Sequence, residues 1–367
     1  MKNRYTSRLL PDVTRLFEVE LEFYELRALG AEEIRYEVAK REFEFFHDNA
    51  EGLKGKVSFL ASVDGKRTLI SEIIELWTPV VKEWYDNFWL HFLFPFKAMV
   101  KPLTARAMIN ICSRGRERLK VLDPFCGSGT FLIEGKVLGH DVYGVDIMPA
   151  YVELSRVKLD FFHSKRPHSF EEMDESMQKI IKAYGEVLSE KSRESRVSER
   201  VNEVLKSFAL RDEVISKIRL GSHNVRAGDA RDLDFNDDFF DIIVTSPPYN
   251  IAHNYFSYDK PLIEAFSSRE ETERIKRRFM WARDESKFLA SLGRAYEEML
   301  RVVKPDGRIG IVIGNQKRKN RVTDLIGWTI RWFEKHKWGL VCEVEEFLTS
   351  KRVYRIPRDR VLIFERK

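Results

Sequence analysis

Val121-Leu122-Asp123-Pro124-Phe125-Cys126-Gly127-Ser128-Gly129-Thr130 is the stretch that decides the reading of this chain. Two apolar residues end a strand, a carboxylate follows at its tip, and a proline and two glycines lead into a helix. Gly127 and Gly129 let the main chain approach a ligand with no Cβ in the way, and free amides at the following helix start favour negative or polar groups. A tight strand-to-helix turn with no ligand would use the same glycine pair, so neighbouring segments must separate the two readings.

Outward from that loop, the apolar run Val142-Tyr143-Gly144-Val145 forms a second strand with Asp146 and Ile147 at its tip, 16 residues after Thr130. Ribose hydroxyls are the natural partners of such a carboxylate. A third strand, residues 224–227, ends at Gly228-Asp229-Ala230, where a further carboxylate is placed to accept from an adenine amino group. Each aspartate alone reads as a cap or turn residue; three polar strand ends in register favour a site. From about residue 98 the order helix, strand, glycine turn, helix, strand opens a Rossmann-like, doubly wound α/β domain. The rhythm resumes with a strand over 242–245, a helix over 285–302, a turn at Lys304-Pro305-Asp306-Gly307 and a strand over 309–313. A helix near 323–336 and two strands, 340–347 and 360–365, complete it, and the last strand is expected to run antiparallel at the sheet edge.

Two additions flank this core. Residues 12–28 read as an amphipathic helix closed by Gly30, and Ile34, Tyr36 and Val38 followed by Phe43, Phe45 and Phe46 alternate as strands do. Residues 1–90 are therefore expected to form a small mixed α/β module ahead of a catalytic domain over 91–367. The aromatic run from Trp77 to Phe96 reads as a helix packing between the two rather than a stacking platform for bases. Residues 151–220 read as an uninterrupted, highly charged helical insertion broken only at Pro167, since one crossover needs only about a dozen residues. Its acidic and basic residues nearly balance, so a solvated helical face is preferred to a substrate-gripping arm.

Composition narrows the class. In 367 residues, 43% hydrophobic and 33% charged, the chain has room for one large core or two unequal ones and is expected to be soluble. Cys112, Cys126 and Cys342 fit neither a metal-ligand spacing nor an even disulfide framework, so no metal is expected and a reducing, cytoplasmic location is. No stretch approaches a membrane span. Glutamine occurs only at 178 and 316 amid abundant Glu, Lys and Arg, a bias shared by hyperthermophile proteins. A net charge of +5 permits a polyanionic partner without demanding one.

The second informative element is Phe240-Asp241-Ile242-Ile243-Val244-Thr245-Ser246-Pro247-Pro248-Tyr249, an apolar strand running directly into two prolines and an aromatic. The prolines fix an extended loop and remove two backbone donors, leaving carbonyls free to accept from a substrate amine. An exocyclic amine of a base has its lone pair delocalised into the ring; accepting its protons in a dry pocket helps the nitrogen pyramidalise and attack a methyl sulfonium. Ser246 and the Pro247 carbonyl are the candidate acceptors, Pro248 stiffens the loop, and Tyr249 is placed to stack on an extruded base. A surface turn is the bland alternative, but it gives an exposed aromatic beside two prolines no task.

The string Asp123 to Thr130 together with Ser246-Pro247-Pro248-Tyr249 resembles the cofactor and catalytic motifs of amino-group methyltransferases acting on DNA and RNA. The resemblance covers roughly residues 90–367 and implies a class I methyltransferase sheet, S-adenosylmethionine bound at the first motif, and ribose and adenine contacts at Asp146 and Asp229. Phe94-Pro95-Phe96-Lys97, followed by Pro102, is similar to the family segment that packs near the methionine end. Serine at the head of the second motif resembles the cytosine-N4 branch, whereas Asp or Asn is commoner among adenine-N6 and glutamine-side-chain enzymes. DNA enzymes of this motif order carry a target-recognition region after the catalytic loop, and the short interval between Tyr249 and residue 285 departs from that pattern. Residues 25–33 instead resemble the amino-terminal module of THUMP-associated tRNA methyltransferases, and archaeal enzymes of this composition imply ribosomal-RNA cytidine as target.

RNA is thus the expected partner. Asn250, Tyr255, Phe256, Arg277, Arg278 and Trp281 on one loop, Lys317, Arg318, Lys319 and Arg321 on a second, and Lys351, Arg352, Arg355 and Arg358 on a third are the candidate RNA contacts. The alternatives are a DNA cytosine-N4 enzyme of the restriction-modification type, a protein-glutamine methyltransferase and a non-catalytic RNA-binding protein.

Overall fold

The computed structural model describes residues 2–11, 13, 16–77, 100–187, 193–248, 255–280, 284–318, 321–345 and 359–367. The reading of residues 77–96 as a packing helix falls outside these beyond Trp77, where a helix ends.

Five strands run parallel: β6 (Lys120–Asp123), β7 (Asp141–Asp146), β8 (His223–Ala227), β9 (Phe240–Thr245) and β10 (Val303–Gly314). With β13 (Trp338–Glu345) and β14 (Asp359–Arg366) they form a seven-stranded sheet of order β13-β14-β10-β9-β6-β7-β8. From β6 the chain winds outward through β7 and β8, then returns to the other side of β6 with β9 and β10. The order reverses between β6 and β9, and ligands in such sheets lie beyond the strand ends at that reversal. Alternation divides the core between the two faces. Ile242 and Val244 pack with Met108 and Ile109 of α4 (Pro102–Ser113), while Ile243 packs with Leu292 and Met299 of α12 (Glu285–Val302).

A second sheet, of order β2-β3-β1-β4-β5, contains β1 (Asn3–Leu9), β2 (Glu32–Glu37), β3 (Glu42–His47), β4 (Leu60–Val63) and β5 (Lys66–Arg67). The helix read over 12–28 is α1 (Leu16–Ala28), and α2 (Ala50–Lys54) and α3 (Leu69–Trp77) accompany it. The sequence reading missed β1, an inner strand. Its inward residues Ser7 and Leu9 are buried, while its outward Arg4 and Arg8 reach Glu44 and Glu42 of β3 at 2.6 and 3.0 Å, so what reads as a charged leader is a cross-strand ladder.

Three further expectations are corrected. The last strand, β14, is antiparallel as expected but is not the edge: it lies between β10 and β13, because Val361 to Phe364 are buried and need cover on both sides. Residues 304–307 lie inside β10, where the register with β9 shifts between Val303 and Arg308. The stretch 151–220 is not one uninterrupted helix. It holds the crossover helix α6 (Pro149–Asp160), a non-helical segment over 161–174, then α7 (Glu175–Val187) and α8 (Arg193–Ile215). Nor is it merely a solvated face: Met173, Met177, Ile180, Ile181, Val204 and Phe208 are buried. No described helix is long and apolar enough to cross a membrane.

Candidate cofactor and catalytic cleft

The loop after β6 turns twice through the left-handed region, at Gly127 (φ 49°) and Gly129 (φ 81°), and Gly129 caps α5 (Thr130–Val137). Neighbours hold it from two sides. Cys126 N donates to Val145 O at 3.0 Å, Gly127 N to Asp146 Oδ2 at 2.9 Å, and Ser155 Oγ of α6 to Gly127 O at 2.7 Å. Asp146 Oδ1 accepts from Met148 N at 2.9 Å, so both carboxylate oxygens are oriented by main-chain amides. Burial nevertheless raises its pKa to about 6 against those lowering hydrogen bonds.

Asp123 takes a different part. It is 2% exposed, and its Oδ1 accepts from Thr245 Oγ1 at 2.6 Å and Phe125 N at 3.1 Å. It therefore bolts the end of β6 to the end of β9, one residue before Ser246. Burial lifts its pKa to about 7, with the two hydrogen bonds opposing.

Asp229 follows β8. Its carboxylate accepts the forked guanidinium of Arg231, Nε to Oδ1 at 2.8 Å and Nη2 to Oδ2 at 2.7 Å, and Arg278 Nη2 stands 3.5 Å from Oδ2. Burial pushes its pKa up, but Arg231, with Arg278 behind it, outweighs burial and holds it below the ordinary value.

These elements enclose a cleft of about 780 Å³, including its open mouth. Pro124, Phe125 and Gly127 line it from the glycine loop, Asp146, Ile147 and Tyr151 from β7 and α6, and Asp229, Ala230 and Arg231 from beyond β8. Ser246, Pro247 and Pro248 line it from beyond β9, with Pro247 buried. Arg278, Phe279 and Met280 close it from the end of α11 (Arg269–Arg278).

The structure thus gathers Pro124, Phe125, Gly127, Asp146, Ile147, Asp229 and Ala230 on one cleft with Ser246 to Pro248. Asp123, Cys126, Ser128, Gly129 and Thr130 stand behind its wall: Cys126 packs against Gly144, and Ser128 and Thr130 are buried. Tyr249, Asn250, Trp281, Lys319, Lys351, Arg352, Arg355 and Arg358 lie outside the described residues. For Tyr255, Lys317, Arg318 and Arg321 only the backbone is described: Tyr255 opens a short helix, and Lys317, Arg318 and Arg321 lie in the hairpin β11 (Gln316–Arg318) and β12 (Arg321–Thr323). Arg277 is exposed.

Sequence reasoning missed Tyr151, Arg231, Phe279 and Met280. Tyr151, one helical turn into α6, donates to Asp259 Oδ2 at 2.9 Å, a partner 108 residues away that no local pattern signals. Arg231, two residues after Asp229, was within reach of a local reading.

The cleft fits S-adenosylmethionine in three respects. Its volume lies in the range of small-molecule sites. Ile147, Ala230 and Phe125 offer apolar surface for a purine ring, and Asp146 brings an oriented carboxylate to the strand tip where ribose hydroxyls are held. Gly127 presents bare main chain beside it.

The model of the UPF0020 family, the RMKL-like methyltransferase domain, matches residues 93–304. Over 64 residues the chain is 42% identical to the tRNA (guanine(10)-N2)-dimethyltransferase of Pyrococcus abyssi, covering 17% of this chain and 18% of that protein. Over 93 residues it is 33% identical to the Type II methyltransferase M.MvaI of Kocuria varians, covering 25% of this chain and 20% of that one. The chain thus matches about a fifth of the length of these curated relatives. A SAM-dependent methyltransferase structure from Methanosarcina mazei aligns with 68% of this chain and 93% of its own at 14% identity and a TM-score of 0.37. With a family match over more than half its length, the chain belongs to the RMKL-like methyltransferase domain family and carries a class I, S-adenosylmethionine-dependent methyltransferase domain.

Proposed function

We propose that the protein methylates an exocyclic amino nitrogen of a base in RNA. The observation that supports this most is that Ser246, Pro247 and Pro248 line the same cleft as Gly127 and Asp146, so an amine acceptor loop and a cofactor wall face one volume. S-adenosylmethionine supplies the electrophilic methyl group. The chain's task is to present the amine: Ser246 Oγ and the Pro247 carbonyl accept its protons, localising the nitrogen lone pair as attack proceeds. The prolines make that loop stiff, so little reorganisation is needed at the moment of reaction. Asp123, through Thr245, sets where the loop begins. Tyr249 stacks on the extruded base, and Asp229 and Asp146 address adenine and ribose.

Cytidine N4 is the first reading of the target amine, carried by Ser246 at the head of the loop, with ribosomal RNA as the substrate. Guanine N2 in tRNA is the second reading, favoured by relatives from Pyrococcus abyssi and Methanocaldococcus jannaschii bearing that activity in their names, the latter 52% identical over 46 residues. A DNA target is favoured only by the Type II relative. We place the RNA-positioning charge at Arg277 and Arg278, at the mouth of the cleft, with Lys317 to Lys319 and Arg352 beside it. The division into a module over 1–90 and a methyltransferase domain over 91–367, and a cytoplasmic location, belong to the same reading. The outward face of the amino-terminal sheet is a poor phosphate track, since its Arg4 and Arg8 are taken by Glu44 and Glu42.

The deciding experiment incubates the protein with isotopically labelled S-adenosylmethionine and total RNA, tRNA, ribosomal RNA or duplex DNA, followed by nucleoside mass spectrometry. Label in N4-methylcytidine supports the first reading and label in N2-methylguanosine the second. Label in duplex DNA alone, or on protein, overturns the proposal.

A further inference from the structure

Two guanidinium groups meet one carboxylate at the rim of the cleft, and their roles differ. Arg231 is 20% exposed at its side chain, whereas Arg278 is 62% exposed. Arg231 grips both oxygens of Asp229, and its Nη2 also donates to the main-chain carbonyl of Arg278 at 2.6 Å. That carbonyl lies at the carboxyl end of α11, where the last helical carbonyls have no partner within the helix. One side chain therefore spans the wall of the cleft and the start of the segment that closes it, since Arg278, Phe279 and Met280 line the cavity opposite Asp229. Met280 is itself buried in a small cluster with Ala230 and Ala295, and Phe125 of the glycine loop packs against it. The roof thus rests on the residue that follows Asp229 and on the loop that follows β6.

We propose that Arg231 is a positioning residue that holds residues 278–280 over the cofactor cleft by tying the Asp229 carboxylate to the Arg278 carbonyl. The inference rests on the reading of the cleft as the cofactor site. A lysine in its place reaches one acceptor or the other, because an ammonium lacks the planar fork that serves a carboxylate and a carbonyl together. The tie is to main chain at residue 278, so truncating the Arg278 side chain leaves it standing.

The test has two readouts on the full chain. Amide hydrogen exchange of residues 275–280 without cofactor reports the roof directly, and calorimetry with S-adenosylhomocysteine reports the cleft. In Arg231→Ala, exchange in that segment is expected to rise about tenfold while β6, β7 and β9 keep wild-type protection. Affinity for S-adenosylhomocysteine is expected to fall about tenfold, with turnover at saturating cofactor within about twofold of wild type. Arg231→Lys is expected to fall between the two, and Arg278→Ala to exchange like wild type in the roof segment. The proposal is overturned if Arg231→Ala leaves roof exchange unchanged, if Arg278→Ala loosens the roof equally, or if protection is lost throughout the sheet in both Arg231→Ala and Arg231→Lys. Roof loosening in Arg231→Ala without binding of S-adenosylhomocysteine to the wild type would uphold the tie and refute the cofactor reading instead.

Discussion

Replacing Gly129 by alanine tests the glycine loop where its geometry is tightest. At φ 81° the residue lies in the left-handed region, which costs an L-residue roughly 1–2 kcal/mol. The added Cβ would also stand 2.9 Å from Ser155 Oγ, 3.1 Å from Ser155 Cβ and 3.3 Å from Ser155 Cα. The hydroxyl can rotate away, but the Cα belongs to α6 and moves only with the helix; overpacking of this kind costs about 1–3 kcal/mol. Together Gly129→Ala should destabilise the fold by about 2–5 kcal/mol and, by shifting Ser155, weaken its hydrogen bond to Gly127 O and the binding of S-adenosylhomocysteine. Urea denaturation measures the first effect and calorimetry the second. A double-mutant cycle separates the causes: Ser155→Gly in the alanine background removes the clash but not the dihedral cost. The pair should therefore be more stable than the sum of the single losses by about 1–3 kcal/mol. Additive losses would refute the account of the loop as wedged against α6.

Four other sites carry predictions of different kinds. Asp123 has a folded pKa of about 7, raised above its unfolded value, so the stability it contributes is present at acid pH and lost as pH climbs through the window from about 4 to 7; Asp123→Asn should gain on wild type between pH 5 and 8 in thermal melts, and a constant difference would refute the assignment. Lys158 is fully buried on α6, its Nζ has no hydrogen-bond partner among the described residues, and burial lowers its pKa to about 7. Lys158→Met should therefore stabilise the protein at neutral pH, by on the order of 2 kcal/mol, with a gain that shrinks toward pH 10; a loss in urea denaturation would show that the lysine is held by something else. Ser246→Ala and Tyr249→Ala should slow single turnover at least tenfold while cofactor affinity changes less than twofold, and the reverse pattern would remove the acceptor-loop mechanism.

The doubly wound core was legible because its signals are local. Val121-Leu122 before a glycine turn, Val142 to Val145, and Ile242 to Thr245 are apolar runs of strand length with polar tips, and their parallel order follows from the helices between them. Strand order at the far edge was not legible. Nothing within Arg360 to Glu365 says that β14 pairs with both β10 and β13, since that depends on which neighbours cover its two edges. β1 was hidden by its charges, which are satisfied by Glu42 and Glu44 more than thirty residues on. In the insertion, Met173, Met177, Ile180 and Ile181 recur at intervals suited to one apolar face, but the charges around them drew the reading toward solvent. At the site, sequence found the three walls that follow strands and missed the roof, because Phe279 and Met280 follow a basic helix with no period to announce them.

The same contrast bears on how the amino-terminal residues relate to the methyltransferase sheet. A boundary near residue 90 is natural in the primary structure, yet one continuous hydrophobic cluster includes Phe17, Leu21 and Leu60 on one side and Met108, Ile109 and Cys112 on the other. Polar contacts cross the same line. Glu25 of α1 accepts from Ser58 N at 3.0 Å, Ser58 Oγ at 2.6 Å and Asn110 Nδ2 at 2.6 Å, while Arg106 of α4 donates to the carbonyls of Gly55 and Lys56 at 2.6 and 3.0 Å. Arg106 also stands 3.5 Å from Glu134 of α5, and both side chains are 1% exposed. Buried polar pairs of this kind add little net stability over apolar packing, but a misplaced partner leaves a charge or an amide unpaired, at a cost of about 3–5 kcal/mol for a charge. They therefore select one docking of α1 and the 55–58 turn onto α4 against every other. Because α4 lies under β9 and β10, and α5 begins at the glycine loop, that selection is made on the elements that shape the cleft. The amino-terminal sheet is thereby held at a set distance from the site of chemistry, which suits a ruler for a folded substrate better than an arm that searches for one.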